Sequence, residues 1–312
     1  MALRRKPKET ENRGVVKKTW KDHTVDILIC IVFGLFTIAC IFPFYYIFIN
    51  TISDNSLVAT GRINIIPRGI HFENYAKVLS LKELPGATMV SLARTVLGTI
   101  FTLICASFPA YCFSREEYWH KKIFYRFVII TMYFGAGVIP TFLTYKTLNI
   151  YDTFWVYILP CCVTPFNLIL VKTYMESLPP SLEESAEIDG AGYLVRFTRI
   201  VLPLCKPILA TIAVFSAVGQ WNNWMDTVLY TKDRALQSLQ YVLYRYLKEA
   251  NTLAEIAREN PEMMAEMDPS TMLSPLTIKY TVCIVTIVPI LVVYPFFQKY
   301  FVKGMMIGAV KG

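Results

Sequence analysis

Four acids, Glu183, Glu184, Glu187 and Asp189, fall within seven positions and have no basic residue among them. Carboxylates do chemistry only beside a convergent base, nucleophile or metal. The chain offers no such set. It has no H-E-x-x-H, no G-x-S-x-G and no phosphate-cradling G-x-x-x-x-G-K-[ST]. Its three histidines, at 23, 71 and 120, are scattered and flank apolar runs, so no metal site is expected. The eight cysteines lie in or beside apolar runs without C-x-x-C spacing. They read as small buried hydrophobes. The acidic cluster is therefore expected to bind rather than to react.

The local signals around it define a short helix. Ser181 and Glu184 have the spacing of a capping box, and Pro179 and Pro180 stop any helix running in from Tyr174. Glu183 and Glu184 suit the positive end of a helix dipole. The predicted helix covers about 182–189 and ends at Gly190 and Gly192, which take a left-handed cap cheaply. A second short helix is expected from Tyr193 toward Pro203. Such a helix could lie on lipid, but anionic lipid would repel its four acids. A protein partner fits better.

The elements that must carry this loop emerge when every Asp, Glu, Lys and Arg is marked. Six runs carry none: Ile27–Ser53, Thr95–Ser114, Phe127–Tyr145, Thr153–Val171, Pro207–Met225 and Tyr280–Gln298. A spanning helix needs about 20 apolar residues, and each run is close to or above that length. Hydrophobic residues make up 54% of the 312, charged residues 17%, and mean hydropathy is +0.43. That balance excludes a soluble enzyme and a disordered chain. Barrel strands are shorter and alternate in polarity. The expected fold is an all-α polytopic membrane protein with six transmembrane helices.

Orientation follows from charge. The arm over 1–24 holds eight basic residues, from Arg4 to Lys21, against three acids, Glu9, Glu11 and Asp22. Basic residues collect on the cytosolic side, so both termini are expected in the cytosol. The net charge of +8 is read the same way, not as a sign of nucleic acid. The predicted organisation is a basic cytosolic arm over 1–24, a six-helix body over 25–302 and a cytosolic tail over 303–312. The acidic loop, 179–203, then sits in the cytosol between the fourth and fifth spans. Segment 226–279 lies outside and is expected to be partly helical around 236–257. Prolines 43, 109, 140, 160, 165, 289 and 295 mark either packing breaks or hinges around a solute path.

Glu184, Ser185, Ala186, Gly190, Ile200, Leu202 and Pro203 reproduce the spacing E-A-A-x3-G-x9-I-x-L-P. In this spacing the chain resembles the permease subunits of bacterial ABC importers, with Ser185 replacing the usual alanine. The resemblance implies a bacterial cytoplasmic (inner) membrane location. It also implies a coupling helix seated on an ATPase, with Glu183, Glu184, Ser185, Ala186, Asp189, Gly190, Ile200, Leu202 and Pro203 at the contact. Ile188-Asp-Gly-Ala191, Ala110-Tyr111 with Ser114-Arg115, Gly137-Val-Ile-Pro140, Pro165-Phe-Asn167 and Trp221-Asn-Asn-Trp224 are similar to the carbohydrate-uptake subfamily. The ending Lys303–Gly312 resembles the maltose-type second permease subunit. There the tail can enter the gap between ATPase subunits, which would place Gly304, Gly308, Ala309, Val310, Lys311 and Gly312 at that interface. Taken together the chain looks most like the LplC/YtcP-like branch, which serves complex oligosaccharides, some of them acidic.

The resemblance implies the partners too: a second homologous permease subunit, a dimer of ATPase subunits that bind ATP and Mg, and an extracellular solute-binding protein. This chain would hold no cofactor. Membrane lipid and a carbohydrate complete the set. An ion-coupled transporter is the rival, but it favours carboxylates near the bilayer midplane. A permease for another solute is the second rival. Trp221, Asn222, Asn223 and Trp224 could hold a sugar, although tryptophans are also enriched at membrane interfaces, and an anchoring role comes first for Trp221 and Trp224. Asn167 could bond a neighbouring helix or line the path. Arg94 could attract an acidic sugar, but snorkelling to the interface is expected first.

Overall fold

The computed structural model describes residues 20–259, 277–292 and 295. All regular elements among them are helical. In chain order they begin with α1 (Trp20–Thr51), α2 (Asn55–Ala59), α3 (Glu73–Leu79) and α4 (Leu84–Ser114). Then come α5 (Lys121–Thr131), α6 (Val138–Thr147), α7 (Leu159–Cys162), α8 (Pro165–Glu176) and α9 (Ser181–Ile188). The series closes with α10 (Tyr193–Val195), α11 (Leu202–Leu204), α12 (Lys206–Asn222), α13 (Met225–Tyr230), α14 (Leu239–Glu259) and α15 (Thr277–Val292). Single 3-10 turns occupy Phe154–Tyr157 and Arg234–Leu236, and a π-type turn covers Arg196–Val201. The basic arm before Trp20 and the tail residues Gly304, Gly308, Ala309, Val310, Lys311 and Gly312 lie outside the described residues.

The chain divides into two compact units, one ending at Ile47 and one starting at Phe48. The first holds most of α1. His23–Thr51 is long and apolar enough to cross a membrane, and its large side chains from Val25 to Phe44 are exposed. A helix that is apolar on every side and bare takes lipid as its solvent.

The second unit is organised by α4. One stripe of its buried positions steps by three or four residues: Ala87, Ser91, Arg94, Gly98, Thr102, Ala106 and Ala110. All but Arg94 are small, which lets neighbouring backbones come close where lipid offers no hydrophobic drive. The packing shows it at Gly98, where an added Cβ would sit 2.7 Å from the Gln220 Nε2 of α12. Ser216 of α12 donates to Thr102 at 3.1 Å. A core of Ala106, Ala110, Tyr111, Leu168, Val171, Met175, Phe197, Val201, Cys205 and Ile212 joins α4, α8, the 193–204 segment and α12.

Charge-free runs two and five correspond to α4 and α12, but others are broken. The third is two helices, α5 and α6, separated at 132–137. Gly137 caps α6 with φ +83, a conformation glycine adopts cheaply. In the fourth, Phe154–Cys162 meets α8 at an angle of 44°. Val163 and Thr164 are extended ahead of Pro165, as a residue before proline prefers. The segment Tyr193–Leu204 meets α12 at 77°. Described residues thus hold two single helices able to span, α1 and α4, and two bent pairs that could each make another span. Of the sixth run, α15 is described to Val292.

Past α13 the expected helix is present as α14. It is latched to the start of α4. Glu83 pairs with Arg245 and accepts from Tyr246 Oη at 2.8 Å. Burial alone would raise the Glu83 pKa, but the bonds from Arg245 and Tyr246 outweigh it and leave the carboxyl below its ordinary value. A depressed carboxylate stabilises the fold above its unfolded pKa, and that contribution is lost as pH falls through the folded one. Glu83→Gln should therefore lower the thermal midpoint at pH 7. The effect should be small, about 1 kcal/mol or less, because both side chains are about one-third exposed. The difference from wild type should shrink as pH falls below about 4, and a constant difference across pH would refute the assignment.

Candidate functional site

Two places gather polar side chains on α4: its Ser114 end, where the acidic loop folds back, and its opposite end, where Arg94 lies.

At the first, α9 begins one residue earlier than the capping box requires. Pro180 is already helical, and the amides of Glu183 and Glu184 both donate to its carbonyl, at 3.0 and 3.1 Å. Ser181 is thus the first helical residue, and no side chain caps the helix. The expected Ser181–Glu184 capping box does not form. The other end matches expectation at Gly190. With φ +82 it closes a Schellman cap, its N–H donating to Glu187 O and the Ala191 N–H to Ala186 O, both at 2.9 Å. Gly192 has φ −69 and plays no such part.

The four acids separate by direction. Glu183 is buried against its own chain, accepting from Tyr111 Oη at 3.1 Å and pairing with Arg115 at 2.8 Å. Arg115 also lies over the Tyr111 ring, with its Cζ 5.0 Å from the centroid. Glu187 pairs with Arg196 of the π-type turn at 2.7 Å. Glu184 and Asp189 are exposed, as are Ser185, Leu182 and Ile188, the last at 86%. Ala186 is half-buried. Ile200 and Leu202 are half-buried, Leu202 against the core, while Pro203 is exposed. The loop is thus pinned on one edge and bare on the other. Sequence reasoning missed Arg115, Tyr111 and Arg196 as the groups that pin it. The nearest signal was the Ala110-Tyr111 and Ser114-Arg115 pair.

At the opposite end Arg94 is fully buried. It does not snorkel, and its charge is not presented to a solute. Its guanidinium pairs with Asp226. Gln220 Oε1 accepts from its Nε at 3.1 Å and from Nη2 at 3.0 Å, and the Asn223 carbonyl accepts from Nη1 at 3.1 Å. Its Cζ lies 4.3 Å from the Tyr157 ring centroid. Gln220 Nε2 donates to Tyr157 O at 3.0 Å, and Tyr157 Oη donates to Leu236 O at 2.6 Å. The Ser91 hydroxyl accepts from Leu239 N at 2.8 Å. One cation therefore ties α4, α12, α13 and the 3-10 turn at Phe154 together.

Beside this cluster is a cavity of about 530 Å³ lined by Thr102, Cys161, Thr164, Phe166, Asn167, Phe215, Ser216, Gly219, Gln220 and Asn223. Among the described residues its wall carries no charged side chain. Asn167 and Asn223, both expected candidates, meet here. The tryptophans do not. Trp221 is buried in a core with Val78, Leu84, Leu239 and Val282, and its Nε1 donates to Thr286 O at 3.2 Å. The interface-anchor reading of Trp221 is corrected, since the ring is spent on joining α12 to α15. Trp224 stacks on Tyr244 of α14, centroids 4.1 Å apart and planes 15° off parallel. Asn222 is exposed and accepts from Gln240 at 3.3 Å.

A helical membrane body with a short, pinned loop helix and a cavity without charged lining side chains fits a transport subunit. The chain belongs to the family described as the binding-protein-dependent transport system inner membrane component, which matches residues 98–307. It is a permease subunit of an ABC transporter and not itself an enzyme. It is 35% identical to the polygalacturonan/rhamnogalacturonan transport system permease protein YtcP of Bacillus subtilis (strain 168), over 94% of this chain and all of that one. It is 38% identical to protein LplC of the same organism, over 87% of this chain and 90% of that one. Among solved structures, a chain of a bacterial ABC transporter that imports the acidic polysaccharide alginate superposes with a TM-score of 0.80 at 29% identity. That match covers 91% of this chain and 99% of the other.

Proposed function

We propose that this chain forms half of the transmembrane path of an ATP-driven importer for an oligosaccharide, with α9 as the helix that receives the ATPase stroke. The observation that carries the reading is the division of α9. Glu183 and Glu187 face their own chain, while Leu182, Glu184, Ser185 and Ile188 are left bare. A helix fixed on one edge and open on the other can take a push and pass it on. The basic arm puts α9 in the cytosol by the positive-inside rule, and six spans then place both termini there. A second permease subunit completes the path, an ATPase pair binds ATP and magnesium, and an outer binding protein delivers the solute. The tail from Gly304 to Gly312 would reach the ATPase interface.

The carbohydrate class is supported by the solutes named for the relatives. The neutral cavity suits it, because hydroxyl-rich molecules are held by amide and hydroxyl groups. Asn167 and Asn223 are assigned as contacts there, with Phe166 as an apolar wall. Trp224 and Asn222 support α14 rather than the path.

Glu184→Lys tests the coupling assignment. In proteoliposomes holding the complete importer and its binding protein, uptake of a rhamnogalacturonan digest and stimulated ATP hydrolysis should fall together, by about tenfold or more for a reversed contact worth about 1.4 kcal/mol. The complex should still insert. Wild-type rates for both would remove α9 from the ATPase interface.

A further inference from the structure

The helix that begins at Lys206 stops at Asn222, and α13 restarts at Met225. Between them Asn223 is extended, with φ −78 and ψ 117, and it lines the cavity. A break of this kind frees carbonyls that lipid cannot satisfy, so something in the protein must take them. Arg94 does so. It donates to the Asn223 carbonyl just past the end of α12, holds Gln220 one turn before the break and pairs with Asp226 just after it. The cation also sits at the negative end of the α12 dipole, where positive charge is favoured. Gly98 leaves room for the Gln220 side chain to cross to it.

We infer that Arg94 is a positioning residue for the solute path: its fork holds the 222–224 break in the one shape that presents the Asn223 amide to the cavity. The purpose assigned to the break rests on the cavity reading above, whereas the fork and its acceptors do not. Asn223 Oδ1 is turned toward the start of α13, accepting from Met225 N at 3.2 Å, which leaves its amide N–H groups as the donors available to the cavity. Arg94 itself never touches a solute, because its donors are spent on these acceptors.

Arg94→Lys separates fork from charge. An ammonium keeps the charge opposite Asp226, but it cannot serve Gln220, Asn223 and both carboxylate oxygens at once. In the complete importer held in nanodiscs, amide hydrogen exchange over 222–227 should accelerate about tenfold, while α8 stays unchanged. Gln220→Met, which removes one acceptor and leaves the ion pair, should show the same local effect more weakly. Unchanged exchange over 222–227 in both variants would overturn the inference, as would equal acceleration in α8, which marks general loosening. Uptake of the rhamnogalacturonan digest gives the second readout. Arg94→Lys and Asn223→Ala should both raise the half-saturating concentration severalfold with ATP hydrolysis retained. If exchange rises locally while Asn223→Ala transports as wild type, the positioning role stands and the cavity assignment falls.

Discussion

Glu183→Ala should cut uptake by about tenfold or more while the complex stays assembled. The carboxylate is the joint between α9 and the end of α4. It takes the Tyr111 hydroxyl at 3.1 Å and the Arg115 guanidinium at 2.8 Å, with side-chain exposures of 11% for Glu183 and 23% for Arg115. Removing one partner of such a pair costs about 3–5 kcal/mol when fully buried. The partial exposure of Arg115 reduces that to about 1–3 kcal/mol, the range for a lost charged hydrogen bond. Each 1.4 kcal/mol is about a factor of ten in a two-state balance. The loss falls on the contact through which a push on α9 reaches α4, so transport should suffer more than folding. Glu187→Ala is the matched control. Its carboxylate is 59% exposed, and the effect should be severalfold smaller. Uptake and ATP hydrolysis measured together in proteoliposomes decide the matter. Wild-type uptake in Glu183→Ala would mean that α9 passes its motion only through the 193–204 segment.

Asp226→Ala should be the most destabilising single change in the body. Arg94 has no exposure, and its ion pair closes a cluster reaching α4, α12, α13 and the Tyr157 turn. Loss of the carboxylate leaves a buried cation with only neutral acceptors, at a cost of about 3–5 kcal/mol. The thermal midpoint of the purified complex should drop by several degrees, and less protein should accumulate in the membrane. Replacing both partners by apolar residues, Arg94→Met with Asp226→Leu, should restore much of that stability, because buried pairs often gain little over a well-packed apolar pair. Transport should stay impaired in the double variant, since the Asn223 carbonyl loses its donor. A single variant as stable as wild type would show that Gln220 and the Asn223 carbonyl suffice for the cation.

The sequence made the loop helix legible because its punctuation is local. Gly190 must adopt a positive φ, and the prolines at 179 and 180 bound the other side, so α9 was placed within a residue. The capping box failed because Pro180 entered the helix and moved Ser181 inside it. Charge-free runs two and five fell on α4 and α12, but the runs did not show where helices break. A run lacking charge says nothing of Gly137 or of the extended pair ahead of Pro165. Arg94 was misread for a physical reason. From the chain alone an arginine near a span end has water within reach of its long side chain. Its partner Asp226 lies 132 positions away, just beyond the end of another run. Separation along the chain likewise hid Glu183 from Arg115, and Trp221 from α15.

A half-permease driven through α9 by a separate ATPase must travel with that ATPase. The most direct test is purification of the complete chain from its native membrane in mild detergent, with mass-spectrometric identification of what accompanies it. An ATPase and a second permease subunit should accompany it in stoichiometric amount, with cross-links from the ATPase to the 181–190 segment. A chain that comes through alone, even after cross-linking, would contradict the half-permease reading.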